Sequence, residues 1–316
     1  MDLAASLSEM EAQTKGVGYF PPLEPSRQEY LKASIKATGG LPGLLDGRRK
    51  LLKVTDPEVS EVIIPLCRWL RALAEALHNG TTGTRVLVGI IGPAGAGKST
   101  LAQLLYAASA ILWEADGPRW IECVSMDGYL LPNSHLVTHS AADPEGHPRT
   151  LKELKGATCS MDADALLRDL RRLRSSATEK ILLPSYDRDI HDPVPDTVVV
   201  SPECRLVIME GLHLLHNEGS WDGVPATFHR TVFVDVERSC CFERVVGRKV
   251  ANGRSRESSE GHFDRVDGPV FDQLQKEKRR ADVILKLRPT EQRALNVTSV
   301  EIPRELKESQ KPPNVL

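Results

Sequence analysis

The sharpest chemistry in the 316-residue chain lies in eight consecutive residues, Gly92, Pro93, Ala94, Gly95, Ala96, Gly97, Lys98 and Ser99, a complete GxxxxGKS. Backbone N–H groups can wrap a phosphate only where side chains do not obstruct them, which accounts for the glycines and alanines. The apolar run before this loop (85–91, RVLVGII) and the helical pattern after it (99–112) supply the strand-to-helix context that such a loop requires. The positive end of that helix is worth only about 0.3–1 kcal/mol near a surface. It cannot alone hold a triphosphate. Lys98 on the β- and γ-phosphates and a Mg²⁺ ligated by the Ser99 hydroxyl must therefore carry much of the charge neutralisation. The guanine-reading NKxD is missing, which argues against a GTPase, but the loop by itself does not say what receives the phosphate.

Acids at strand ends narrow the chemistry. Asp127 closes the apolar stretch 120–126 and is followed by Gly128, in the sequence SMDGY. A carboxylate there can accept the proton of an attacking hydroxyl, a contribution of roughly 10²–10⁴ in rate; the alternative is an Asp that only starts a turn. Glu210 ends the run 205–209 (RLVIM) in the same manner and reads as an acid holding Mg²⁺ through water, or as a strand-end acid without metal contact. A third cluster, 184–193 (PSYDRDIHDP), concentrates Tyr186, Asp187, Arg188 and His191 in one loop that could grip a polar acceptor, unless it is an ordinary hydrophilic loop. His135 and His139 lack the glutamate of a zinc-binding HExxH, and packing is the economical account of Met209, His213 and His216.

Positioning these groups requires alternating strands and helices. Breakers at Pro21-Pro22, Pro25, Gly39-Gly40 and Pro42-Gly43 predict short helices or a flexible arm over 1–57. From 58 to 80 the apolar residues Val59, Val62, Ile63, Leu66, Leu70, Leu73 and Leu77 mark an amphipathic leading helix, interrupted near Pro65. Strands are predicted at 85–91, 120–126, 205–209, 231–236 and 281–287, and helices at 99–112, 162–174, 238–251 and 270–280. That alternation predicts an α/β fold with a doubly wound, mostly parallel sheet and flanking helices over 58–302, followed by a flexible tail at 303–316.

Composition sets the outer bounds. The chain is 41% hydrophobic and 27% charged, and its formal charge of −2 gives no global positive field to draw it to nucleic acid or anionic lipid. The six cysteines show no CxxC spacing and read as reduced thiols. The acidic N-terminus lacks an apolar signal core, and no apolar stretch is long enough to cross a bilayer, so a cytoplasmic protein without membrane or nucleic-acid partners is expected.

Read in order, GPAGAGKST (92–100), SMDGYLLPN (125–133), LKGATCSMDADALLRDL (154–170), LLPSYDRDIHDPVP (182–195), LVIMEGLHLL (206–215) and ERVVGRKVANG (243–253) resemble the phosphoribulokinase/uridine kinase family of P-loop kinases, which includes bacterial-type pantothenate kinases. The resemblance implies a P-loop NTPase sheet with a helical lid after Asp235. It assigns Lys98, Ser99 and Thr100 to ATP and Mg²⁺ and Asp127 to the role of base, and Glu210, read above from its strand end, joins them as the metal candidate. It places Tyr186, Asp187 and Arg188 at the acceptor, where Tyr129 and His191 in the same motifs are further candidates, and it sets Arg244 and Arg248, on one face of the lid helix, to act on the transferring phosphoryl group. A lid excludes water. The chain departs from the family in 155–162: relatives carry a proline and an aromatic–Asp pair there, and Met161 replaces the aromatic. The function implied is transfer of the γ-phosphate of ATP to a hydroxyl of a small nucleoside- or pantothenate-like acceptor. A regulatory ATP-binding or weakly hydrolysing protein without a dedicated acceptor is the alternative, and a homodimer is left open.

Overall fold

The computed structural model describes residues 24–45, 47–78, 84–113, 120–176, 178–287 and 297–301. Helix α1 (Pro25–Thr38) leads into a hairpin of β1 (Leu41–Leu45) and β2 (Arg48–Leu52). A segment Asp56–Glu58, a π-helical turn Val59–Ile63 and α2 (Ile64–His78) then follow without a break. Thr55 and Glu58 start this run with a reciprocal capping box. The interruption expected near Pro65 is this wide turn, which accommodates a residue with no N–H to give.

The central sheet holds β3 (Val86–Ile91) and β4 (Ile121–Ser125). Two small hairpins lie outside it, β5 (Ser140–Ala142) with β6 (Pro148–Thr150), and β7 (Ile181–Asp187) with β8 (Asp192–Val200). The sheet is completed by β9 (Leu206–Gly211), β10 (Arg230–Asp235), β11 (Val283–Leu287) and β12 (Val297–Glu301), in the order β12-β11-β10-β3-β9-β4. Five strands are parallel, and β12 adds an antiparallel edge. The longer helices after α2 are α3 (Lys98–Trp113), α4 (Ala163–Ser175), α5 (Arg238–Ala251), α6 (Arg256–His262) and α7 (Gly268–Glu277).

Alternation along β3 shows why its sequence is apolar throughout. Val86, Val88 and Ile90 join a core shared with α1, α2 and α3, whereas Leu87 and Ile91 join a second core shared with α4 and β7. A strand covered on both faces has no polar side. The chain runs from β9 to β10 across β3, so the sheet has its topological switch at the carboxyl end of β3, where ligands gather in doubly wound folds. At the other end Arg85 is fully buried and donates to the carbonyls of Cys204 (3.1 Å), Ser176, Glu179 (2.6 Å) and Ser201 (3.0 Å). One guanidinium thus ties β3 to the ends of α4 and β8.

Two segments hold strands where the sequence reading has none. Within 1–57, residues 25–52 form a helix and a hairpin whose Leu31, Ile35, Leu41 and Leu52 are buried in the same core as Leu101, Leu104 and Leu105 of α3. The Leu44 N–H also donates to Gln103 Oε1 at 2.9 Å. The breakers Pro42 and Gly43 lie inside β1, because a two-stranded edge ladder tolerates a missing donor. The cluster 184–193 is likewise not a loop: it is the end of β7, a tight tip and the start of β8, with an irregularity between Leu183 and Ser185 that absorbs Pro184. The tail 303–316 lies outside the described residues, and among the described residues no helix is long and apolar enough to cross a membrane.

Candidate active site

The phosphate-binding loop leaves β3 at Gly92 and enters α3 at Lys98. Gly95 has φ +81°, and a Cβ there would stand 2.9 Å from the Cys241 carbonyl oxygen. The lid helix α5 therefore packs directly on the loop, and only glycine fits between them. Arg244 Nη1 donates to the Gly95 carbonyl at 3.1 Å. Lys98 is buried and its Nζ donates to the Pro93 carbonyl at 3.0 Å. Burial pulls the Lys98 pKa down, and Glu210 and Asp127 oppose that shift, while the Arg248 cation adds to it. Glu210, Asp127 and Arg248 therefore each lie within electrostatic reach of Lys98.

Glu210 is the penultimate residue of β9, between β3 and β4 and in register with Ile90 and Ser125. Burial raises its pKa and Asp127 raises it further; Lys98 and hydrogen bonding to Ser125 and Ser99 hold it down. Asp127 follows β4 in a 3-10 turn, Met126–Tyr129, with its N–H on Ser125 Oγ at 3.3 Å. Its Oδ2 accepts from Arg188 Nη2 at 2.5 Å. The next residue explains how the two meet: a Cβ on Gly128 would stand 2.5 Å from the Pro184 carbonyl oxygen, so the turn lies directly against β7. A larger residue would push the acid and the hairpin apart.

On the hairpin side, Lys155 Nζ and Arg188 Cζ lie 4.9 and 5.0 Å from the Tyr186 ring centroid. Burial pushes the Tyr186 hydroxyl up to about 12. Lys155 Nζ donates to the His191 carbonyl (3.0 Å) and to Asn133 Oδ1 (3.3 Å), and burial lowers its pKa. Sequence reasoning gave Lys155 no role. Its signal was the LKG segment, but which way that turn aims an ammonium depends on long-range packing.

The structure thus brings Lys98, Ser99, Glu210, Asp127, Arg188, Tyr186, Arg244 and Arg248 around the carboxyl ends of β3, β4 and β9. Three expected acceptor residues are placed otherwise. Tyr129 is buried and donates its hydroxyl to Asp169 Oδ2 on α4 at 3.1 Å, because the 3-10 turn aims its ring into the second core. Asp187 Oδ1 accepts the N–H groups of Asp189 (2.7 Å) and Ile190 (3.2 Å) and so caps the hairpin tip. His191, at φ +56°, is exposed and offers its carbonyl rather than its ring. His135, partly buried, and His139, exposed, stack on each other at 3.7 Å between centroids. Packing does account for His213, which is fully buried, bonded through Nε2 to the Gly156 carbonyl at 2.9 Å and set edge-on to Trp221.

The donor set fits a nucleoside triphosphate with its Mg²⁺. A cradle of left-handed glycines and a buried ammonium suit the phosphates, and the Ser99 hydroxyl with the Glu210 carboxylate offers hard oxygen ligands.

Comparison with known proteins agrees. The model of the phosphoribulokinase/uridine kinase family matches residues 87–294. An ATP-dependent kinase-like protein of Aspergillus versicolor, notR′, is 38% identical over 131 residues, covering 40% of this chain and 73% of its own. Escherichia coli YggC is 29% identical over 256 residues, or 81% of this chain and 98% of its own. Among solved structures, D-glycerate 3-kinase from Cryptococcus neoformans superposes with a TM-score of 0.54 over 76% of this chain and 98% of that one, at 16% identity, a likeness of fold alone. With the loop, the strand-end acids and the lid helix in place on this sheet, the chain belongs to the phosphoribulokinase/uridine kinase family and is an ATP-dependent P-loop kinase.

Proposed function

We propose that the protein transfers the γ-phosphoryl group of ATP to a hydroxyl of a small molecule bound between the β7–β8 hairpin and the lid helix α5. The observation that carries this reading is the placement of Asp127. Its carboxylate is gripped by Arg188 from the hairpin and shares an electrostatic neighbourhood with Lys98 and Glu210. A nucleotide switch has no use for an acid so placed, and a kinase needs one.

Each group then has a task. Backbone N–H groups of 94–99 hold the phosphates, and Lys98 exchanges the Pro93 carbonyl for phosphate oxygens, regaining an anionic partner for its buried charge. Ser99 and Glu210 would hold Mg²⁺, which when bound neutralises and orients the phosphates. Asp127 takes the proton from the acceptor hydroxyl as the oxygen attacks phosphorus. Arg244 and Arg248, one turn apart on α5, stabilise the charge that spreads over the transferring oxygens. Tyr129 and Asp187 support the turn and the hairpin tip that hold Asp127 and Arg188.

The test is ADP release from ATP–Mg²⁺ with and without a panel of hydroxy acids, sugar phosphates, nucleosides and polyols, alongside direct ATP binding. Acceptor-dependent ADP release with a phosphorylated product is expected. Tight ATP binding with no acceptor above the hydrolysis background would hand the site to the regulatory alternative.

A further inference from the structure

We infer that the acceptor carries an anionic group, a carboxylate or a phosphate, near the hydroxyl that is phosphorylated, and that Arg188 and Lys155 read this group. The inference rests on the assignment of the Asp127 cleft as the acceptor site and names the class of molecule it takes.

The first argument is the state of the aromatic residues. A site for a neutral heterocycle needs an open ring to stack on. Tyr186 is the aromatic residue that reaches this cleft on the hairpin side, and Lys155 and Arg188 sit over its ring. Tyr129 is buried against α4, and Met161, which stands in place of the family's aromatic, is buried in the second core. What the hairpin side of the cleft offers over this ring is two cations, with Asp127 and Asp192 in the same neighbourhood.

The second argument is where the hairpin's own acids are spent. Asp187 caps the tip through two backbone N–H groups. Asp192 Oδ1 accepts the Asn133 N–H at 2.8 Å. Asp189 points outward, 86% exposed, with Arg48 of β2 at 3.8 Å. Asp127 is an anion that Arg188 holds, and it is the proposed base. Arg254, just beyond α5, adds its field to Tyr186 from the lid side.

The third argument concerns Lys155. Its ammonium is half-buried with the Asp192 and Asp127 carboxylates in its field, yet its hydrogen bonds go to two neutral oxygens, the His191 carbonyl and Asn133 Oδ1. A partly desolvated cation on neutral acceptors, with a second cation over the same ring, gains most from an anion entering between them. The guanidinium of Arg188 has five N–H groups in a planar fork, so it can keep Asp127 and take a carboxylate or phosphate oxygen at once. That shared grip sets the acceptor's anionic handle beside the base and favours a short molecule whose hydroxyl lies close to its charge.

The experiment compares matched acceptors by kcat/KM: glycerate with glycerol, pantothenate with pantothenyl alcohol, ribose 5-phosphate with ribose, and uridine and cytidine as neutral nucleosides. The charged member of the productive pair is expected to lead by roughly tenfold or more, the worth of one charge-assisted hydrogen bond. Arg188→Gln and Lys155→Gln should each raise KM for the charged acceptor about tenfold and draw the charged-to-neutral ratio toward one, with Arg188→Lys restoring part of it. A purely structural role would lower kcat/KM for both members and leave the ratio standing. Preference for a neutral acceptor, or an unchanged ratio in both Gln variants, overturns the inference while the kinase reading survives. If no acceptor raises ADP release although ATP binds, the kinase reading falls and takes the inference with it.

Discussion

Asp127→Asn separates the chemistry from the scaffold. The substitution keeps the shape of the side chain and removes both its charge and its capacity to take a proton. Loss of a general base costs roughly 10²–10⁴ in rate, or about 2.7–5.5 kcal/mol on the barrier. The structural cost is much smaller. The partner lost is Arg188 at 2.5 Å, and the two side chains are 38% and 33% exposed, so solvent screening limits the pair to about 1 kcal/mol. ATP affinity should hold or tighten slightly, because a negative charge near Lys98 is removed. The assay is single-turnover phosphoryl transfer with saturating ATP, paired with a urea melt and a nucleotide titration on the same preparation. The expected result is a rate lowered at least a hundredfold on a protein destabilised by no more than about 1 kcal/mol. A near-normal rate would place the base elsewhere. A rate loss that merely tracked weakened ATP binding or partial unfolding would refute the role equally, since Asp127 would then be a strut for Arg188.

Lys98→Ala should weaken ATP binding and abolish turnover, read by nucleotide titration and ADP release; unchanged catalysis would remove the loop from the mechanism. Tyr129→Phe deletes the hydroxyl bonded to Asp169 and should cost about 0.5–1.5 kcal/mol in a denaturant melt while leaving acceptor KM unchanged, whereas a raised KM would restore Tyr129 to the acceptor pocket. Arg85→Met should destabilise by about 1–3 kcal/mol, because it removes the donor shared by the carbonyls of 176, 179, 201 and 204 and leaves the one on buried Cys204 unsatisfied; a melt within about 0.5 kcal/mol of wild type would contradict the clamp. His213 gives the fold an acid-sensitive element: burial holds it down to about 4 against 6.5 in the unfolded chain, so as pH falls below 6.5 the unfolded state gains the proton first. Its contribution is fully present above pH 6.5 and shrinks toward pH 4, by up to roughly 3 kcal/mol. Urea melts of wild type and His213→Gln across that window should differ in slope by about one proton, and parallel slopes would exclude the effect.

How much of this was legible in the sequence depends on the range over which each feature is determined. The strand at β3, the loop and α3 could be read almost to the residue, because double-sided burial, a steric demand for glycine and a helical apolar stripe are local properties of 85–113. Asp127 and Glu210 could be read for the same reason: each ends an apolar run, and the ends of parallel strands share one edge of the sheet. The β7–β8 hairpin could not. Its prolines at 184, 193 and 195 are the residues that normally mark a loop, and only an edge ladder free to drop donors lets them be strand. The same holds for Pro42 in β1.

Side-chain direction was the least legible property. Tyr129 and Asp127 are two residues apart, yet the turn sends one ring into the core behind α4 and the other carboxylate toward Arg188, a difference set by the close contact of Gly128 with Pro184. Lys155 and Arg188 are 33 residues apart in sequence and meet over one tyrosine because the hairpin tip folds back onto the turn that carries Asn133. Sequence motifs therefore identify the transfer machinery, which is built from strand ends. The contacts proposed for acceptor choice come from separate parts of the chain, so the charge assembled around Tyr186 is a property of the folded chain alone. For that reason substitutions at 155 and 188 should change which alcohol is chosen, whereas substitutions at 98 and 127 should change whether transfer occurs at all.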